Sequence, residues 1–239
     1  RARLGEFAMT DYPVGRGRLV WVAIVAGILT LVIASLFPAR PFVYCEGVGN
    51  PLPNAALSAF QLARTPEQLA VALGCPARIV MLNDMNILDL AAFIPAYGAF
   101  LLFGAAVLAR GRLRTLAFAL IGAGVVADIV ETATQLWIGA RWPELSPAML
   151  PLLAAGSTIK FAGLGLGGAV LGLALLRRRG LITKLLGAVI AVTSLGSLLL
   201  FAGVPGTSLA IGVSWVALLL ALIFSVIRRP RHLPASAGA

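Results

Sequence analysis

Apolar residues along this chain run continuously rather than alternating with polar ones. A helix crosses the hydrocarbon core of a bilayer in about 20 residues, and six stretches approach or exceed that length: 19–37, 79–109, 115–138, 148–176, 181–203 and 208–227. Unbroken runs exclude a membrane β-barrel, whose strands alternate with a period of two. The predicted fold is all-α, a polytopic membrane protein of six transmembrane helices. The runs at 79–109 and 148–176 exceed one bilayer thickness, so each is expected to tilt or to extend past the membrane.

The polar intervals organise the remainder. Residues 38–78 form one structured extracytoplasmic loop between the first two spans. Its opening is rich in Pro and Gly (Pro38, Pro41, Gly47, Gly49, Pro51, Pro53), which disfavours regular structure, and 55–62 and 66–73 read as two short helices. Thr65, Pro66 and Gln68 match an N-cap, a proline at the first helical position and a capping-box partner, and Gly74 supplies the stop. Gly203-Val204-Pro205-Gly206 predicts a tight outer turn. Residues 1–8 read as an expression remnant ahead of Met9, 9–18 as a cytoplasmic N-terminus and 228–239 as a cytoplasmic tail. The run at 19–37 follows Arg16 and Arg18, as a signal peptide would. It is too long for an h-region and ends in Phe37-Pro38-Ala39-Arg40 without a small-x-small cleavage site, so it is read as a retained helix.

Composition agrees: 60% of the 239 residues are hydrophobic and 12% charged, against roughly 25% charged in soluble domains. Disorder and a soluble fold are both excluded. The net charge of +10 has a topological cause. Fourteen of the 19 basic residues, among them Arg110, Arg112, Arg114, Arg177, Arg178, Arg179 and Lys184, fall on the side that carries both termini. Four (Arg40, Arg64, Arg78, Arg141) fall on the other, and Lys160 lies inside a span. The positive-inside rule then puts both termini in the cytoplasm of a bacterial inner membrane. The expected partners are the lipid bilayer and its anionic headgroups at the cytoplasmic face, and nucleic acid is excluded for want of a basic groove with aromatic platforms. Cys45 and Cys75 sit at the two ends of the outer loop, in an oxidising compartment, and are expected to pair as a disulfide. Trp21, Trp137 and Trp142 fall near the predicted interfaces, as anchoring aromatics do.

Five ionisable residues lie within the spans: Asp84 and Asp89 in the second, Asp128 and Glu131 in the third, Lys160 in the fourth. Each charge costs at least about 2.5–3.5 kcal/mol at the centre of an isolated helix, which demands partners or a cavity. At a rise of about 1.5 Å per residue all five reach one level in the outer half. Asp128, Glu131 and Gln135 form an i, i+3, i+7 stripe, and Asp89, Phe93 and Tyr97 an i, i+4, i+8 stripe with Asn86 one turn before. Ser157 stands three residues before Lys160. The expected site is an acidic pocket between spans two, three and four, with Asp128 and Glu131 as principal ligands, Asp89 assisting and Lys160 as counter-ion. Asp84, Asn86, Gln135 and Tyr97 complete it. One lysine against four acids leaves three negative charges for a cation or cationic solute.

The chemistry open to such a site is limited. The one histidine, His232, lies in the basic tail, so zinc chemistry is disfavoured, and oxygen donors would suit Mg²⁺ or Ca²⁺ if the pocket held a metal. Ser157, Ser194, Ser197 and Ser214 have no histidine base, and no Gly-x-Ser-x-Gly occurs. The aspartate motifs of membrane prenyltransferases and of CDP-alcohol phosphotransferases are not reproduced. Ala63 to Glu67, the Asp89…Phe93…Tyr97 stripe and Asp128-Ile129-Val130-Glu131 together resemble a widespread group of uncharacterised bacterial multi-pass membrane proteins. The resemblance covers residues 55 to 138 and implies no activity. That group is expected to carry Asn after Asp-x-x-Glu, where this chain has Thr132.

Gly163/Gly167 and Gly168/Gly172 are small-xxx-small pairs that allow a close helix crossing, read as intrachain, with a homo-oligomer contact as the alternative. Six spans also permit two inverted three-helix halves, although the last two spans lack acids. The expected function is binding or transport of a cation or small cationic solute. The alternatives are a membrane-embedded enzyme acting on a lipid or isoprenoid headgroup and a non-catalytic partner subunit held by the same charges.

Overall fold

The computed structural model describes residues 15–52, 55–202 and 207–227. The expected remnant 1–8, the start of the N-terminal segment, the turn at Gly203 to Gly206 and the tail with His232 lie outside the described residues. Every regular element described is helical: α1 (Gly15–Leu36), α2 (Ala56–Gln61), α3 (Pro66–Leu73), α4 (Pro76–Leu88), a π-helical turn (Asp89–Phe93), α5 (Ile94–Leu108), α6 (Gly111–Arg141), α7 (Met149–Leu176), α8 (Leu181–Gly196), a 3₁₀ segment (Ser197–Ala202) and α9 (Thr207–Ile227). Six helices are long and apolar enough to cross a membrane, with α4, the π turn and α5 continuous over 33 residues. Their outer faces are apolar: Trp21, Val25, Ile28, Val32 and Leu36 of α1 are exposed at helical spacing, as are Val126, Ile129 and Val130 of α6. Apolar surface on this scale is what an integral membrane protein turns toward lipid.

Helix ends explain where the boundaries differ from the apolar runs. The second span starts at Pro76, not residue 79, because Cys75 is extended and the proline occupies the first helical position, where its missing N–H costs nothing. The third starts at Gly111, beyond an extended Arg110, so Arg112 and Arg114 join the helix. The fifth ends as α-helix at Gly196 and tightens to a 3₁₀ turn, in which Ser197 Oγ donates to the Ser194 carbonyl at 2.6 Å.

The main core joins α1, α5, α6, α7, α8 and α9 through residues such as Ile24, Phe100, Ile121, Leu171, Ile190 and Leu218. α7 is packed on two sides through glycine. A Cβ on Gly163 would stand 2.6 Å from the Leu120 carbonyl of α6, and one on Gly172 would stand 2.5 Å from the Gly187 carbonyl of α8. Gly167 faces Ile121 of α6 and Gly168 faces Ser194 of α8, so both small-xxx-small pairs serve contacts within the chain. In the α7–α8 turn, Arg178 donates to the last carbonyls of α5, Val107 at 3.2 Å and Leu108 at 2.6 Å, where cations favour the helix dipole.

A second apolar cluster forms a cap over one end of the bundle, with Phe60, Leu69, Leu73, Leu82, Ile138, Met149 and Leu153 buried together. Thr65 caps α3 by accepting from the Gln68 N–H at 3.3 Å. The Gln68 side chain reaches one residue past the usual capping-box target and accepts from the Arg64 N–H at 2.6 Å. Gly74 ends α3 with φ +62, and a Cβ there would stand 2.7 Å from the Arg78 guanidinium and 2.8 Å from Cys45 Sγ. Cys45 and Cys75 lie at disulfide-bonding distance, with Cα atoms 5.7 Å apart. Arg78, fully buried, donates to the carbonyls of Val43 and Val71, both at 3.0 Å, and to Asn50 Oδ1, and lies 5.1 Å from the Phe42 ring. It was expected to be a loop charge. It is the hub that fastens residues 42–50 to α3 and α4.

Candidate functional site

Asp128 and Glu131 sit one turn apart on α6, which puts both carboxyls on the face toward α7. Lys160 of α7 places Nζ 2.8 Å from Asp128 Oδ1 and 2.6 Å from Glu131 Oε2. None of the three is more than 5% exposed. The glycines around Lys160 make this reach possible, since a Cβ on Gly156 would meet the Glu131 Cβ at 2.9 Å. The remaining carboxyl oxygens are also engaged. Tyr97 of α5 donates its hydroxyl to Asp128 Oδ2 at 2.5 Å, and Gln135 Nε2 donates to Glu131 Oε1 at 3.0 Å.

Asp89 enters from the other side, on the π turn. Pro95 has no N–H to give the Ala91 carbonyl, and its ring crowds that carbonyl. The helix widens just before it, where the Ile94 N–H bonds to the Asp89 carbonyl five residues back. Eight residues of regular helix would turn about 800°, some 80° past the starting face, and the wider turn takes up part of that excess. Asp89 and Tyr97 therefore face the same neighbour. Asp89 Oδ2 accepts from Thr132 Oγ1 at 3.1 Å.

These groups form one wall of a cavity of about 410 Å³. Asp89, Tyr97, Asp128 and Lys160 line it. So do Leu31 and Ala34 of α1, Phe37 just past its end, Leu57 and Gln61 of α2, Phe161 and Leu164 of α7, and Ile211, Ser214 and Trp215 of α9. Phe93 is the centre of an aromatic wall, with ring centroids 5.3 Å from Phe37, 5.4 Å from Tyr97 and 5.7 Å from Trp215. The Tyr97 and Trp215 rings stack at 5.5 Å. Ser194 and Ser214, also in the lining, satisfy each other at 2.7 Å.

The geometry redraws the expected pocket in three respects. It is bounded by α1, α2, α8 and α9 as well as by the second, third and fourth spans, because periodicity within one helix does not say which other helix closes a space. It is largely apolar, with the acids confined to one wall. Asp84 leaves the cluster: its side chain is 57% exposed and ion-pairs with Arg40 at 3.5 Å. Asn86 is fully buried behind Asp89 in sequence, does not line the cavity, and its amide has no hydrogen-bond partner among the described residues. Gln135 and Glu131 lie behind the wall rather than on it.

One contributor gave no sequence signal. Arg64, between α2 and α3, donates from its guanidinium to Ser157 Oγ on α7 at 3.0 Å, and to the carbonyls of Gln61 and Ala63, each at 3.0 Å. Burial lowers its proton affinity below the ordinary guanidinium value, and the nearby Glu131 carboxylate opposes that shift. The cap thus delivers a second positive charge to the rim of the acidic cluster. No group of three or more His, Cys, Asp or Glu among the described residues is arranged to hold a metal ion. Between Asp128 and Glu131, the place a cation would take is filled by the Lys160 ammonium.

Comparison with protein-family models, with curated proteins and with solved structures gives no match. The class rests on the chain itself: among the described residues, an all-helical bundle with six long apolar helices, compatible with an integral membrane protein, and with an ion-paired cluster on the wall of a cavity.

Proposed function

We propose that this chain is a multi-pass protein of a bacterial inner membrane, with both termini inside, that binds and carries a small cation or cationic solute in the cavity with Asp89 as the counter-charge. One observation supports this above the others. Asp89 is 5% exposed and lines the cavity, and among the described residues it forms no ion pair, Thr132 is its hydrogen-bond donor and Oδ1 accepts no hydrogen bond. A buried carboxylate without a cation is costly, and a cationic guest removes that cost. Asp128 and Glu131, the expected principal ligands, already share Lys160, and in this reading they hold Tyr97 and the cavity wall in place. The orientation is supported by the basic residues clustered near the α5–α6 and α7–α8 turns, and by a cysteine pair in the cap, which suits an oxidising compartment.

The test is uptake of labelled tetramethylammonium into proteoliposomes. Asp89→Asn is expected to abolish uptake while the protein still elutes as a monodisperse peak. Undiminished uptake by that variant would overturn the reading.

A further inference from the structure

The cavity is much larger than a simple cation needs. A monatomic ion with about six waters, at roughly 30 Å³ of liquid volume each, occupies on the order of 180 Å³. The cavity holds about 410 Å³, within the roughly 300–1,000 Å³ typical of small-molecule sites. Its charged groups stand on one wall, and the rest is aliphatic and aromatic. A hydrated ion would leave those walls facing water, which disfavours it.

The aromatic wall adds a second, independent indication. Phe93 is four residues from Asp89 along the same strip of helix and touches Tyr97 and Trp215 edge-on or tilted. The faces of tyrosine and tryptophan rings attract ammonium groups, most strongly where water is excluded, and Asp89 supplies the opposite formal charge beside them. An anionic head would meet Asp89 and Asp128, and Lys160, the cation in the cavity lining, is already shared by two carboxylates.

Resting on the cation reading above, we propose that the ligand is an amphipathic organic ammonium: one cationic nitrogen held by Asp89 and the Phe93, Tyr97 and Trp215 rings, with an apolar body filling the space between α1, α7 and α9. Binding then depends on two separable properties, the charge and the length of the apolar body. Each added methylene that finds room contributes about 0.8 kcal/mol, which is about fourfold in affinity, until the cavity is full.

The experiment is calorimetric titration of the full chain in phosphatidylcholine nanodiscs, corrected against empty nanodiscs, with n-alkyltrimethylammonium ions of one to eight carbons. The n-alkyl alcohols, n-alkyl sulfonates, Na⁺ and Mg²⁺ are titrated in parallel. The expected result is affinity rising about fourfold per methylene for the ammonium series alone, with Asp89→Asn losing at least tenfold at every chain length. Trp215→Leu is expected to weaken all ammonium ions while remaining monodisperse. Asp89-dependent binding of Na⁺ or tetramethylammonium with no gain from chain length would overturn the amphipathic ligand and leave the cation reading standing. Alcohols binding as tightly as ammonium ions, or no binding by any cation, would overturn both. If Trp215→Leu fails to fold, Phe93→Leu gives the same comparison.

Discussion

Lys160→Met is the most informative single substitution in this protein. It leaves the Asp128 and Glu131 carboxyls, 3% and 0% exposed, facing each other with their shared ammonium gone. Removing one partner of a buried pair costs about 3–5 kcal/mol, because an uncompensated charge stays behind. On the scale of soluble chains of this size, where 1 kcal/mol moves the midpoint by roughly 2–4 °C, the unfolding midpoint in detergent should fall by about 6–20 °C. The methionine fills a similar volume, so little of the loss is a packing effect. The compensated variant Lys160→Met/Asp128→Asn/Glu131→Gln removes the charges together and should recover most of that loss, since an apolar or neutral replacement of a whole buried ion cluster is often neutral. Tryptophan-monitored thermal unfolding of these three proteins and of Asp128→Asn/Glu131→Gln, read as a mutant cycle, gives the coupling directly. A fall below about 4 °C for Lys160→Met, on the same scale, or a triple variant no better than the single one, would refute the view that this ammonium neutralises the two carboxylates.

Arg78→Ala should loosen the cap, since the buried guanidinium's hydrogen bonds to the Val43 and Val71 carbonyls and to Asn50 Oδ1 are lost together at about 0.5–1.5 kcal/mol apiece; faster proteolytic nicking within residues 38–52 is the readout, and unchanged nicking would contradict the hub assignment. Gly163→Ala is expected to destabilise by about 1–3 kcal/mol through its clash with α6. Gly122→Ala, where an added Cβ meets nothing within 4 Å, should be neutral or stabilise by up to about 1 kcal/mol, and a reversed order in thermal midpoints would refute the packing account. Arg64→Gln removes a half-buried charge beside the acidic cluster and should tighten cation binding two- to fivefold, for a gain of about 0.5–1 kcal/mol; weaker binding would mean that Arg64 orders the site rather than opposing the cation. Reduction of the Cys45–Cys75 pair, which closes a 30-residue separation, should lower stability by about 3–4 kcal/mol in the chain-entropy model, checked by unfolding with and without reductant.

The spans were legible because lipid solvation writes itself into every residue of a helix, and a run of apolar residues needs no knowledge of its neighbours. The Thr65–Pro66–Gly74 helix was legible for a similar reason: caps act within a few residues. The convergence of Asp89, Asp128, Glu131 and Lys160 could be reached from depth and helical phase. Which acids pair with which cations could not. Asp84 and Asp89 are five residues apart and chemically alike, yet one meets Arg40 outside the cluster and the other a cavity wall, because five residues of regular helix turn about 500° and set the two some 140° apart; the π turn that brings Asp89 into phase with Tyr97 follows them. Pro95 was the available signal for that turn. Arg64 and Arg78 looked like ordinary loop charges, since their burial depends on how the cap folds back over α7 and α4, a long-range matter that composition does not carry. The apolar character of the cavity was hidden for the same reason, as its walls come from α1, α2 and α9, far away in sequence.

The glycine packing of α7 divides the bundle mechanically. Close glycine contact with α6 on one side and α8 on the other, backbone against backbone at Gly163 and Gly172, makes these three helices a slab with little freedom to slide. The second span is joined to that slab near the cavity by two hydroxyl bonds, Tyr97 of α5 to Asp128 and Thr132 to Asp89 of the π turn. Asp89 and Tyr97 thus meet α6 across the seam between the second span and that slab, while the Lys160 ion pairs lie within the slab. Whatever neutralises Asp89 also changes how firmly that seam is held shut.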